Sequence, residues 1–204
     1  MPYTSEHKLR TRDKIVESAR RLFNRHGFEQ VSIDRIMAEA GLTRGGFYNH
    51  FDSKDQLYAA AVASFGSCNP FRKRIDPDTE PATLARTLID LYLSDEALAD
   101  IDAQCPLYAL PGDVARAGLS QQKAYPDLIR NLTRIFEMAM GEGAGVAERA
   151  QVIVALCVGG MVLARTTDDS TLRTSLRTAS RRQALAVLRG MPNAAGPFPP
   201  HVTG

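Results

Sequence analysis

The stretch that decides the fold is Ser32-Ile-Asp-Arg-Ile-Met-Ala-Glu-Ala-Gly41-Leu-Thr-Arg-Gly-Gly-Phe-Tyr-Asn-His-Phe51-Asp-Ser-Lys-Asp-Gln-Leu-Tyr58. Ile33, Ile36, Met37 and Ala40 recur at i, i+3, i+4 and i+7, the apolar stripe of a short amphipathic helix. Ser32 precedes it as an N-cap, and Gly41 follows where a left-handed residue ends a helix without steric cost. Leu42 fills the corner, and Thr43 offers a cap for a second short helix, 44–51. Ser53 and Gln56 form a capping box at the start of a third, longer helix.

The second helix has an unusual composition. Gly45 and Gly46 at its start each cost about 1 kcal/mol against alanine. Phe47 and Phe51, four apart, mark a buried face, which leaves Arg44, Tyr48, Asn49 and His50 outside. Arginine suits guanine edges or phosphates, asparagine suits adenine edges, and tyrosine and histidine can donate to phosphates. A missing side chain permits close approach to a DNA backbone. The pattern is that of a helix-turn-helix whose second helix enters the major groove. A solvated polar face would explain the patch taken alone, but not the glycines and the turn with it. Lys54 stands in the first turn of the next helix, where the dipole prefers an acid and a phosphate opposite would suit it.

At these residues the chain resembles the tetracycline-repressor (TetR/AcrR) family of bacterial transcription regulators. The likeness covers residues 10–60 and rests on the Gly-Leu-Thr turn, the Tyr-x-His-Phe stretch and the Ser-Lys-x-x-Leu helix start. It implies a homodimer that binds double-stranded operator DNA and is released by a small-molecule effector held in a helical C-terminal domain. Carried over by position, Ser32, Thr43, Arg44, Tyr48, Asn49, His50 and Lys54 become DNA contacts, and Gly45 and Gly46 close-approach positions. Arg35 is more basic than is usual at its place in the family, where it reaches a phosphate or lies in solvent.

The rest of the chain agrees with an all-α fold. Its 204 residues and 44% hydrophobic content allow one head and one larger helical domain. We expect a head over residues 1–52, an effector and dimerisation domain over 53–190, and a disordered, Pro- and Gly-rich tail over 191–204. The first helix is expected over 9–25, with Ile15, Ala19, Leu22 and Phe23 inward. Lys8, Arg10, Arg12, Lys14, Arg20, Arg21 and Arg25 crowd this region, either to track phosphates or to keep the surface solvated. The helix from Ser53 ends near Asn69-Pro70, followed by a connection over 76–81. Further helices are expected over 82–93, 95–101, 125–140, 147–166 and 170–189, with a break and one short helix over 104–119.

The helix over 147–166 is apolar nearly all round, so it needs cover on several sides. The family likeness pairs the last two helices with their symmetry mates, through Val152, Leu156, Gly159, Gly160, Leu163, Leu176, Leu185 and Leu188. A core hairpin of a single chain would use the same residues. For the effector, the candidate lining is Tyr92, Leu93, Cys105, Leu107, Tyr108, Phe136, Met140, Cys157 and Met161.

Cys105, before a proline at a helix break, is either an accessible thiol that senses oxidants or electrophiles or a small buried hydrophobe. An enzyme built on it lacks an assignable histidine base and its orienting group. Cys68, Cys105 and Cys157, with His7, His26, His50 and His201, show no metal-ligand spacing. No metal or cofactor is expected. The amino terminus has no apolar signal region, and no run approaches the ~18 or more apolar residues of a membrane span. A cytoplasmic protein without a membrane partner is the expectation.

Overall fold

A computed structural model describes residues 5–68, 79–116, 122, 123 and 125–190. The expected end of the third helix near Asn69-Pro70, most of the following connection, and the tail over 191–204 lie outside the described residues. Among those described, every regular element is helical.

The first helix, α1 (Ser5–His26), begins one turn earlier than the apolar stripe indicates. Its added turn is polar, with Arg10 donating to Glu6 at 2.6 Å and the Thr11 hydroxyl to the His7 carbonyl at 2.9 Å. Ile15, Ala19, Leu22 and Phe23 are buried, and Gly27, at φ 75°, stops the helix by donating to the Phe23 carbonyl at 2.8 Å. In α2 (Ile33–Glu39), the Ser32 hydroxyl accepts from the Arg35 N–H at 3.2 Å. Gly41 turns the corner at φ 70°.

The next element corrects the sequence reading. Residues Arg44–Asn49 form a 3-10 helix, and the Thr43 side chain makes no cap hydrogen bond. Gly46 donates to the Thr43 carbonyl at 3.0 Å and His50 to the Phe47 carbonyl at 2.9 Å, the i→i+3 pattern. A segment this short with two glycines lacks the intrinsic helicity to hold wider turns; burial of Phe47 and Phe51 fixes it instead.

The long helix α3 (Lys54–Cys68) starts at a capping box with a shifted second half. Ser53 Oγ accepts from the Gln56 N–H at 3.1 Å, while Gln56 Oε1 accepts from the Asp52 N–H at 2.8 Å. Tyr58 on α3 meets Phe23 and Phe28 edge-on, with centroids 5.2 and 5.0 Å away, so α3 closes the head's core.

The second half comprises α4 (Pro81–Tyr92), α5 (Asp95–Ala99), a 3-10 turn (Ile101–Ala103), α6 (Pro106–Ala109), α7 (Pro111–Arg116), α8 (Tyr125–Met140), α9 (Val146–Arg165) and α10 (Ser170–Leu188). Pro106 and Pro111 divide the region expected to hold one short helix into two. Helix α9 is the centre of this half and packs on α8, α10 and α6. A Cβ on Gly160 would lie 2.8 Å from the Ser180 Cβ, so only glycine lets α10 come this close. By length and composition alone α9 is long and apolar enough to cross a membrane, contrary to the expectation that no run reaches that length. Here it is a core helix, with Ile153, Val154, Cys157, Met161 and Ala164 buried.

Candidate nucleic-acid interface

The 3-10 helix sits on the head by Phe47 and Phe51, whose rings are 5.9 Å apart and fully enclosed. The opposite side carries Tyr48, 59% exposed, with Arg44, Gly45 and Asn49 also exposed. A Cβ on Gly45 would meet nothing within 4 Å, and one on Gly46 only the Met37 Cε at 3.6 Å. Both have negative φ. The chain's own packing therefore asks for neither glycine.

The charged groups around this face are partly engaged. Arg44 Nη1 donates to Asp34 Oδ2 at 2.6 Å, and Arg35 Nη2 lies 2.7 Å from His26 Nε2. Lys54 places its ammonium 4.1 Å from the Phe28 ring centroid, and Arg12 its guanidinium 4.6 Å from that of Phe51. Lys54 is thus half-buried on an aromatic face rather than free in solvent, and this desolvation lowers its pKa. His50 is half-buried at the end of the 3-10 helix. Burial first, then the charges of Lys8 and Arg12, lower its pKa, so at neutral pH it offers an N–H rather than a cation.

The basic first helix divides in two. Arg20 and Arg21 pair with Glu17, at 2.8 and 3.5 Å, and Arg25 reaches Asp102 at 2.5 Å. Arg20 and Arg25 tie the helix to the segment around Asp102, while Lys8, Arg10, Arg12 and Lys14 lie on the amino-terminal half, where Arg10 pairs with Glu6 and Arg12 lies over Phe51. Asp102 lies in the 3-10 turn between α5 and α6. Its backbone carbonyl accepts from Arg20 and from Asn24, and Asn24 also donates to the Gln104 carbonyl at 2.9 Å. This partly buried polar joint links head to body, and the sequence reading missed it. Its partners stand about eighty residues apart, a separation that no local pattern reveals.

In the second half, Tyr92, Leu93, Cys105, Leu107, Tyr108, Phe136, Cys157 and Met161 are all buried in the core, with Met140 half-buried. Tyr92 and Tyr108 meet edge-on at 5.2 Å, and the Tyr108 hydroxyl donates to the Ala97 carbonyl at 3.1 Å. Cys105 is 1% exposed, which overturns its reading as an accessible thiol. The proline break is covered by neighbouring helices, and burial pushes both Cys105 and Cys157 up to about 12, away from thiolate reactivity.

A test follows from the sign of that shift. The ordinary thiol value is 9.0, so above it the folded chain holds protons that the unfolded chain releases. The stabilisation is complete below pH 9 and is lost as pH rises toward 12. Each thiol contributes a slope of up to about 1.4 kcal/mol per pH unit in that window. Urea titrations should show a shallower alkaline loss for the Cys105→Ala/Cys157→Ala variant than for the parent; equal slopes would refute the assignment.

The expected dimer residues separate by burial. Gly160 and Leu185 are buried within the chain itself, while Val152, Leu156, Gly159, Leu176 and Leu188 are half-buried. Leu163 is 52% exposed, and a Cβ on Gly159 would meet nothing within 4 Å. Helix α10 adds an open groove of about 580 Å³, lined by Ser170, Thr174, Ser175, Thr178, Ala179 and Arg182. The sequence reading took the large apolar residues of α10 and missed this small-residue side.

Comparison with known proteins agrees with this arrangement. The model of the bacterial regulatory proteins of the tetR family matches residues 15–61. The chain is 27% identical over 149 residues to YfiR, an uncharacterized HTH-type transcriptional regulator of Bacillus subtilis (strain 168), across 69% of this chain and 70% of that one. Other curated proteins, among them the repressor AcnR of Corynebacterium efficiens, match over 50 to 61 residues, across 25% to 32% of their own length. A TetR-family regulator from Cytophaga hutchinsonii has the same fold, with a TM-score of 0.72 at 18% identity, over 92% of this chain and 96% of that one. SmeT, solved in complex with triclosan, has a TM-score of 0.60 at 21% identity, over 87% and 90% of the two chains.

Proposed function

Because this chain belongs to the tetR family of bacterial regulatory proteins, we propose that it is a cytoplasmic, homodimeric repressor. It binds a palindromic operator through the 3-10 helix Arg44–Asn49 and leaves when a small molecule occupies the helical body. The observation that carries this reading is the outer face of that helix. Two glycines without an intramolecular reason precede an exposed tyrosine on this helix, which also carries arginine and asparagine. Such a surface is fitted to a backbone that must come close and to base edges that must be read.

The body supports the second half of the reading. The buried residues Tyr92, Tyr108, Phe136 and Met161 are mostly apolar and include two tyrosine hydroxyls, which suits a mostly apolar effector. The triclosan complex of SmeT, a protein of the same fold, supports a ligand of that class. The joint of Arg20, Asn24 and Arg25 on Asp102 lies directly before Cys105, so a ligand that displaces this segment would pull on the head.

The test is a gel shift on the intergenic DNA flanking the chain's own gene, with nonspecific competitor present. The parent protein is expected to give a competitor-resistant shift. Tyr48→Ala is expected to weaken it by about tenfold or more, within the range of one good base or phosphate contact. Unchanged affinity in this variant would remove Tyr48 from the interface.

A further inference from the structure

Asp34 is an acid on a surface read as facing phosphates. It stands in the first turn of α2, where the helix dipole favours a negative charge. Its carboxylate also reaches beyond its own helix, across the Gly41 corner. Oδ2 accepts from Nη1 of Arg44 at 2.6 Å, and Arg44 is the first residue of the 3-10 helix. The two side chains are 56% and 62% exposed, so the pair adds little to stability. Its consequence lies elsewhere.

A guanidinium presents its N–H groups in a rigid planar fork. Asp34 engages one Nη and leaves the edge formed by Nη2 and Nε, which matches the O6 and N7 of guanine. Holding one nitrogen restricts the long Arg44 side chain before DNA arrives, which reduces the entropy lost on binding. The same carboxylate offsets the charge of Arg44 and repels phosphates, and phosphate attraction is the basis of sequence-independent binding.

We infer that Asp34 is a positioning residue of the DNA-reading surface, which orients Arg44 toward a base edge and withholds it from phosphates. Asp34 thus raises sequence discrimination while lowering nonspecific affinity. This rests on the proposed DNA reading, and the experiment separates the two.

Purified full-length chain selects preferred duplexes from a pool randomised over about 20 base pairs, the span of two half-sites. Fluorescence anisotropy then compares a selected with a scrambled duplex, for the parent, Asp34→Asn, Asp34→Glu, Arg44→Ala and the Asp34→Asn/Arg44→Ala double variant. Asp34→Asn is expected to bind the scrambled duplex about fivefold tighter and to lower the selected-to-scrambled ratio by at least that factor. Asp34→Glu, which keeps the carboxylate, recovers part of the ratio. In the Arg44→Ala background, Asp34→Asn causes no further loss of base preference.

An unchanged ratio in Asp34→Asn, with a reduced one in Arg44→Ala, would overturn the inference and leave the DNA reading intact. Selection of no preferred duplex, or full discrimination by Arg44→Ala, would remove Arg44 as a base reader and Asp34 with it.

Discussion

Replacing Phe47 by alanine is expected to destabilise the head by about 3–5 kcal/mol, the cost of truncating a fully enclosed phenylalanine. Phe47 has no exposed surface and packs against Phe51 and Tyr48, with centroids 5.9 and 5.2 Å away. It is the main anchor of a 3-10 helix that carries two glycines and makes no side-chain cap at Thr43. With so little intrinsic helicity, the segment depends on this burial to hold Tyr48 and Asn49 outward. Denaturant titration and DNA binding should therefore fail together in Phe47→Ala, while the signal from the body's helices persists. A loss below about 1 kcal/mol would mean that the corner, not the phenylalanine, holds the segment.

On the proposed homodimeric reading, Gly159→Arg is expected to leave the chain monomeric and to lower DNA affinity by about 10²–10⁴, the contribution of linking two half-site contacts. Within one chain the first atom of the new side chain has room. Nothing lies within 4 Å of the added Cβ, and a helix interior gains about 0.5–1 kcal/mol when glycine is replaced. A loss of mass with the helices intact then points to a partner surface on the outer side of α9, near the exposed Leu163. Light scattering gives the mass, and circular dichroism checks that the helices remain. A variant that stays dimeric would place the interface elsewhere, with the small-residue groove of α10 the first alternative.

Burial of Cys105 bears on the effector. With its thiol pushed up to about 12 by desolvation, the folded chain holds a neutral sulfur beside Tyr92 and Tyr108. A neutral sulfur in that position behaves as a small apolar lining group.

Much of this molecule was legible in the order of its residues. The stripe Ile33, Ile36, Met37, the cap at Ser32 and the turn at Gly41 are local features, and local hydrogen bonds realise them as expected. The long helices followed from their periodicity, and residues 125–140 emerge as α8 without a shift at either end. Tertiary structure decided what local patterns do not encode. It chose the 3-10 form of Arg44–Asn49, because ring burial outweighs weak propensity there. It closed Cys105 under helices distant in sequence, and it engaged Arg25 with Asp102. It also separated Gly160, which meets Ser180, from Gly159, which meets nothing, although the two are neighbours on one helix. Periodicity says that a face is apolar; only packing says which part of that face the chain itself covers.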